Sequence, residues 1–179
     1  MTNIHTVKKA INGDEVAFET LIKDESAKLY RTAFLYMRNK EDALDVLQDT
    51  VTKAFVSIHQ LKSPEFFSTW LIKILIRTAY HLLEKKKKFV LTGDDLLNQM
   101  VDIQSKKSES EIDLSVALAQ LEMHYQTVII LFYYHDLSIR KIAETLGKPE
   151  GTIKTYLRRA KLEMRKVLEG KENYEQRMV

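Results

Sequence analysis

The chain has 179 residues, 45% of them hydrophobic, with 28 Lys and Arg against 25 Asp and Glu for a net charge of +3. That supports one or two compact domains with a true core and excludes a wholly disordered chain. There is no cysteine, which removes disulfide and thiol chemistry, and only five Gly and two Pro point to long helices with few tight turns.

The opening stretch MTNIHTVKKAINGDE has no apolar core of signal-peptide length, and apolar runs such as 128–134 are too short to cross a bilayer. A cytoplasmic protein without membrane insertion is the expectation. Residues 14–38 follow Gly13 and repeat Phe18, Leu21, Ile22, Leu29, Ala33, Phe34 and Met37. This spacing predicts one or two amphipathic helices, with Asp14 and Glu15 at the positive end. Asn39 and Lys40 form a short break.

The next helix spans about 41–60, with a seam of Leu44, Leu47, Val51, Ala54 or Phe55, and Ile58. Its other side carries Asp42, Asp45, Gln48 and Asp49, and carboxylates this close repel one another. The residues alone leave two readings open: a solvated acidic face, or a docking surface for a basic partner.

Residues 61–65 form a loop, because Ser63 precedes Pro64 and is pushed from helical angles. A helix over 66–88 follows, with Leu71, Ile74, Leu75, Thr78 and Leu82 as core. Ile72, Ile76, Ala79 and Leu83 flank them, so this helix is expected to be wedged between neighbours. Its remaining stripe reads Trp70, Lys73, Arg77, Tyr80 or His81, and Lys85. Cations interleaved with flat rings suit a single nucleic-acid strand, which offers phosphates to pair and bases to stack. The plainer alternative is that Phe66, Phe67 and Trp70 are core aromatics.

Residues 89–111 turn acidic and rich in Ser and Gln, and read as a linker. Helical periodicity resumes at 112, with Leu114, Leu118, Leu121, Val128, Ile129, Leu131 and Phe132 as core. Then come two short helices joined by a tight turn. Ile139, Ile142, Ala143 and Leu146 bury one face of the first, Gly147 stops it, and Pro149 suits the first position of the second. The second buries Ile153, Leu157, Ala160, Met164 and Val167 or Leu168, and turns Lys154, Thr155, Arg158, Arg159, Lys161, Arg165 and Lys166 outward. Over 138–168 nine Lys and Arg face three Glu. This pattern reads as a helix-turn-helix whose second helix offers cations to phosphates and Arg forks to guanine edges. The bland alternative is a two-helix corner with a solvated basic face.

No catalytic residue, metal site or cofactor is expected. The five histidines have no ligand spacing, and no glycine-rich loop cradles a phosphate. The fold class is therefore all-α: two small helical domains over 10–88 and 112–170, joined by a flexible linker.

The stretches GDEVAFETL (13–21), EDALDVLQDTVTKAF (41–55), FFSTWLIKILIRTA (66–79) and LSIRKIAETLGKPEGTIKTYLRRAKLEMRKVL (137–168) together resemble the extracytoplasmic-function (ECF) group of the sigma-70 family of bacterial RNA polymerase sigma factors. The resemblance implies a non-enzymatic promoter-specificity subunit of a stress-response type. Asp45, Gln48 and Asp49 would then meet the clamp of the beta-prime subunit of core RNA polymerase. The loop His59–Phe66, with Lys62 and Phe66, would read and hold the single-stranded −10 element together with Trp70, Lys73, Arg77 and Tyr80. Thr152, Lys154, Thr155, Arg158, Arg159 and Lys161 would face the duplex −35 element. Many members carry Asn and Asp where this chain has Arg77 and His81, a departure that bears on base preference at −10. The resemblance also implies an anti-sigma partner. The rival readings are a stand-alone helix-turn-helix regulator with an N-terminal dimerisation domain, and a helical adaptor that touches no nucleic acid.

Overall fold

In the computed structural model, which describes residues 3–92 and 116–175, every regular element among the described residues is helical. Its contacts divide the chain into two compact units, with the division between residues 102 and 103.

Side-chain caps set the helices of the first unit. Asn3 accepts from the His5 amide at 3.0 Å and starts α1, Ile4–Ile11. Asp14 accepts from the Ala17 amide at 2.9 Å and starts α2, Glu15–Met37. Asn39 accepts from the Asp42 amide at 3.0 Å and starts α3, Lys40–Ser57. Each cap satisfies an amide that the first helical turn leaves without a partner. The reversal before α3 is made by Arg38, whose φ of 56° is left-handed and whose amide bonds the Phe34 carbonyl at 2.9 Å. The break thus falls at Arg38 and Asn39, and Lys40 is already helical. Helix α1 was not among the expected elements, yet it buries Val7 and Ala10 against α2.

After α3 come two 3-10 turns, Ile58–Gln60 and Pro64–Phe66, and then α4, Phe67–Thr92. Helix α4 continues four residues past 88, into the stretch read as linker. Residues 93–111 of that stretch, the start of the second domain at 112 and the expected core residue Leu114 lie outside the described residues. Helices α2, α3 and α4 pack mutually, with α1 against α2 and both 3-10 turns. Leu21, Leu29, Val46, Phe67, Leu71 and Leu75 are among the fully enclosed side chains.

The seam of α3 differs from expectation by one residue. Ala43, Val46 and Thr50 are buried, whereas Leu44 lies outside; further along, Ala54 and Ile58 are buried as expected, and Phe55, the alternative to Ala54, lies outside. Small residues let α3 approach its neighbours closely, and this outweighs the greater apolar area of the leucine. Leu47 and Val51 are half-buried. Helix α4 is wedged as expected: Ile72, Ile76 and Ala79 are buried together with Leu71, Leu75 and Thr78, although Ile74 and Leu82 are only half-buried.

In the second unit residues 116–120 are helical and α5, Met123–Ile129, follows. It widens into a π turn at Ile130–Tyr134, where the His135 amide reaches the Ile130 carbonyl at 3.1 Å. A π turn holds more residues than an α turn and shifts the faces that follow. Phe132, expected in the core, is consequently half-buried, while Leu118, Leu121, Val128, Ile129 and Leu131 are buried. Helices α6, Ile139–Leu146, and α7, Glu150–Glu175, complete the unit. Gly147 ends α6 with φ of 63°, and its amide bonds the Ala143 carbonyl. Pro149 is not the first helical residue. Its carbonyl accepts from the amides of Thr152 (3.0 Å) and Ile153 (3.2 Å), so it caps α7 from outside.

Candidate nucleic-acid and partner interfaces

Helix α3 presents Asp45, Gln48 and Asp49 to solvent. Asp42, the fourth member of the acidic run, turns inward. Its side chain is 18% exposed and pairs with Lys86 of α4. Asp49 lies 3.8 Å from Lys53 one turn on, and Lys53 Nζ donates to the Thr78 hydroxyl at 3.1 Å. Asp45 and Asp49 stand one turn apart, so their repulsion remains in water and a cationic partner would relieve it.

The stripe on α4 also separates cleanly. Phe67 is fully buried, Phe66 is 42% exposed and Trp70 is intermediate, its ring 6.0 Å from that of Phe67. One of the three rings is therefore core, Trp70 is half-buried beside it, and Phe66 keeps part of its surface exposed at the start of the stripe. Lys62 is exposed on the preceding loop. Lys73 and Tyr80 are half-buried, and Arg77 is exposed. A hydrogen bond from the Ser68 hydroxyl to Glu25 Oε1, 2.6 Å, ties the first turn of α4 to α2.

On α7, Ile153, Leu157 and Ala160 are buried against α5 and α6. Lys154, Arg158, Arg159 and Lys161 are exposed, and Thr152 and Thr155 are intermediate. The Thr155 hydroxyl donates back to the Gly151 carbonyl at 2.9 Å, which sets its rotamer. Arg159 Nη1 donates to the Tyr125 hydroxyl at 3.3 Å, and this bond holds the Arg159 guanidinium above its ordinary proton affinity. Lys161 Nζ lies 5.3 Å from the centre of the Tyr133 ring and 5.8 Å from that of Phe132. The second unit therefore combines a helix-turn-helix with a cationic outer surface. Among the described residues no cluster of His, Asp or Glu is placed to hold a metal.

Comparison with known proteins gives these two surfaces a common context. Residues 21–89 match the family described as Sigma-70 region 2, and residues 112–164 match Sigma-70, region 4. The chain is similar to the RNA polymerase sigma factor SigV of Bacillus subtilis (strain 168), 39% identical over 144 residues that cover 79% of this chain and 84% of that protein. The chain belongs to the ECF group of the sigma-70 family. As a sigma factor it gives RNA polymerase promoter-specific initiation.

The ECF sigma factor SigW of Bacillus subtilis (strain 168) is 28% identical over 176 residues, 90% of this chain and 94% of its own. Among solved structures, the sigma factor RpoE in complex with the anti-sigma factor NepR from Bartonella quintana matches with a TM-score of 0.75 at 25% identity. That match covers 85% of this sigma factor and 96% of RpoE. CnrH, solved with the cytosolic domain of CnrY, shares the fold at a TM-score of 0.71 and 19% identity, covering 93% of this chain and 97% of CnrH. Within this sigma factor the contacts made by Tyr125 and Lys86 leave no mark in the local sequence pattern. Tyr125 is an apolar-face residue by periodicity, and 44 residues separate Lys86 from Asp42. No described helix is long and apolar enough to cross a membrane.

Proposed function

We propose that the N-terminal unit does two jobs on opposite parties. Asp45, Gln48 and Asp49 dock on the beta-prime clamp of core polymerase, and Lys62, Phe66, Trp70, Lys73, Arg77 and Tyr80 hold the melted −10 strand. The helix-turn-helix unit engages the −35 duplex through Thr152, Lys154, Thr155, Arg158, Arg159 and Lys161. The single observation that carries this reading is the sorting of Phe66 outward and Phe67 inward at the head of a basic stripe. An exposed ring beside cations offers a base a stacking surface that duplex binding alone does not use.

The two modules lie on one chain, so engagement of one promoter element makes the contact with the second intramolecular. The protein works in the cytoplasm, carries out no catalysis itself, and is held in check by an anti-sigma partner, as RpoE is paired with NepR. A stand-alone duplex-binding regulator would have no use for the acidic face of α3 or the ring-bearing stripe of α4. Reconstitution with core polymerase, followed by sequencing of transcript 5′ ends, tests the reading. Discrete start sites sharing two upstream elements are expected, and scattered or absent starts overturn it.

A further inference from the structure

The outward residues of α7 fall into two groups according to what holds them. Opposite the buried row Ile153, Leu157 and Ala160 runs the line Gly151, Thr155, Arg158 and Leu162, at spacings of four, three and four. Helical geometry points this edge directly away from the core: Arg158 and Leu162 are exposed, Thr155 is half-buried beside the Gly151 carbonyl it bonds, and a Cβ on Gly151 would meet nothing within 4 Å. Arg159 and Lys161 lie to either side of that line. Each is braced by an aromatic side chain of the α5 and π-turn segment: Arg159 by the Tyr125 hydroxyl at 3.3 Å, Lys161 by the Tyr133 and Phe132 rings.

The brace on Arg159 is itself rigid. Tyr125 is 6% exposed, and its ring stacks near His124 at 4.0 Å and Tyr156 at 5.6 Å, with His124 and Tyr156 4.6 Å apart. A guanidinium that gives one donor to a fixed hydroxyl has its remaining donors aimed along the flank. A helix seated in a major groove meets phosphates at its flanks and base edges at its outermost line. Because Arg has five donors in a fixed fork, losing one to Tyr125 leaves enough for a phosphate.

We propose that Tyr125 is a positioning residue that presets Arg159 as a phosphate clamp, and that base reading falls to Thr155 and Arg158 on the outermost line. This rests on the reading of the second unit as the −35 duplex module. The test uses holoenzyme reconstituted from the full chain and core polymerase. Its probe is a promoter whose −35 sequence the unmodified holoenzyme selects from a randomised library, with a panel of single base-pair changes, over a range of salt. Arg159→Ala weakens binding by the same factor across the panel and lowers the salt slope by about 1. Tyr125→Phe weakens binding about three- to tenfold, again uniformly, and adds nothing in the Arg159→Ala background. Arg158→Ala flattens the preference at one base pair by about tenfold.

Tyr125→Phe keeps the ring that packs on His124 and Tyr156, and an unchanged melting temperature is its control. The Arg159→Ala arm reads the same proposal without touching the core. The proposal is overturned if Tyr125→Phe has no effect, if its effect persists undiminished beside Arg159→Ala, or if Arg159→Ala flattens preference at a single base pair. Should Arg158→Ala, Arg159→Ala and Lys154→Ala all leave promoter binding intact, the −35 reading of the unit fails and the proposal falls with it.

Discussion

Lys53 on α3 donates to the hydroxyl of Thr78 on α4 at 3.1 Å, while the Asp49 carboxylate stands 3.8 Å from the same nitrogen. One ammonium group thus sits between the acidic face of α3 and the helix that carries Arg77. Toward the other end of α3, Asp42 pairs with Lys86 of α4. Two polar contacts thus join α3 to α4 beside the apolar packing that encloses Leu71 and Leu75.

The Asp42–Lys86 tie makes a measurable difference to stability. Asp42 is 18% exposed and Lys86 44%, so the pair is neither fully screened nor fully desolvated. Lys86→Met and Asp42→Asn each cost about 1 kcal/mol in urea denaturation, and a double-mutant cycle gives a coupling of about 0.5 kcal/mol that shrinks in 1 M salt. A coupling of zero at low salt removes the pair from any positioning role.

Charge reversal on the acidic face separates docking from folding. Asp45 and Asp49 are exposed, and neither supports the core. Asp45→Lys with Asp49→Lys leaves the unfolding free energy, measured in urea, within about 0.5 kcal/mol of that of the starting protein. The same pair abolishes co-elution with core polymerase on gel filtration, since like charges then face a basic partner. Retained co-elution places the docking surface elsewhere.

Adjacent phenylalanines respond in opposite ways. Phe67 is fully enclosed, and Phe67→Ala costs about 3–5 kcal/mol by emptying a cavity in the core. Phe66 is 42% exposed, so Phe66→Ala costs about 1 kcal/mol or less in stability. It lowers open-complex formation on a promoter with a duplex −10 element, because a stacked base is worth about 1–3 kcal/mol. On a template with a pre-melted bubble, the Phe66→Ala defect in affinity for the strand persists. A defect confined to duplex templates assigns Phe66 to melting rather than holding.

How far these surfaces were legible in the sequence follows from the range of the forces that build them. The helix-turn-helix was readable because its signals are local: Ile142 and Ala143 at helical spacing, Gly147 where φ turns positive, Ile153 four residues beyond Pro149. The first turns of the α3 seam fall one residue from where periodicity puts them, because periodicity weighs Leu44 above Ala43, whereas packing rewards the residue that lets helices close up. Helix α1 carries a cap at Asn3 and a face at Val7 and Ala10, yet eight residues are too few to be stable without α2 beside them, so the local pattern alone does not predict it. The division of Phe66 from Phe67, and the bracing of Arg159 by Tyr125 34 residues away, depend on tertiary contacts that no local pattern encodes.

Two glycines in one motif give stability changes of opposite sign under the same substitution. Gly147 has φ of +63°, where an alanine side chain is strained, and no neighbour lies within 4 Å of a Cβ built there. Gly147→Ala therefore costs about 1 kcal/mol through the backbone alone. Gly151 is helical and also meets nothing, so Gly151→Ala gains about 0.5 kcal/mol by reducing the entropy of the unfolded chain. Gly151 also heads the outermost line of α7, ahead of Thr155 and Arg158. A methyl group there stands between the helix and the groove floor, so Gly151→Ala raises the melting temperature while lowering −35-dependent transcription. Thermal denaturation and run-off transcription on the same preparation decide the matter: a variant both more stable and fully active shows that this edge of α7 does not enter the groove.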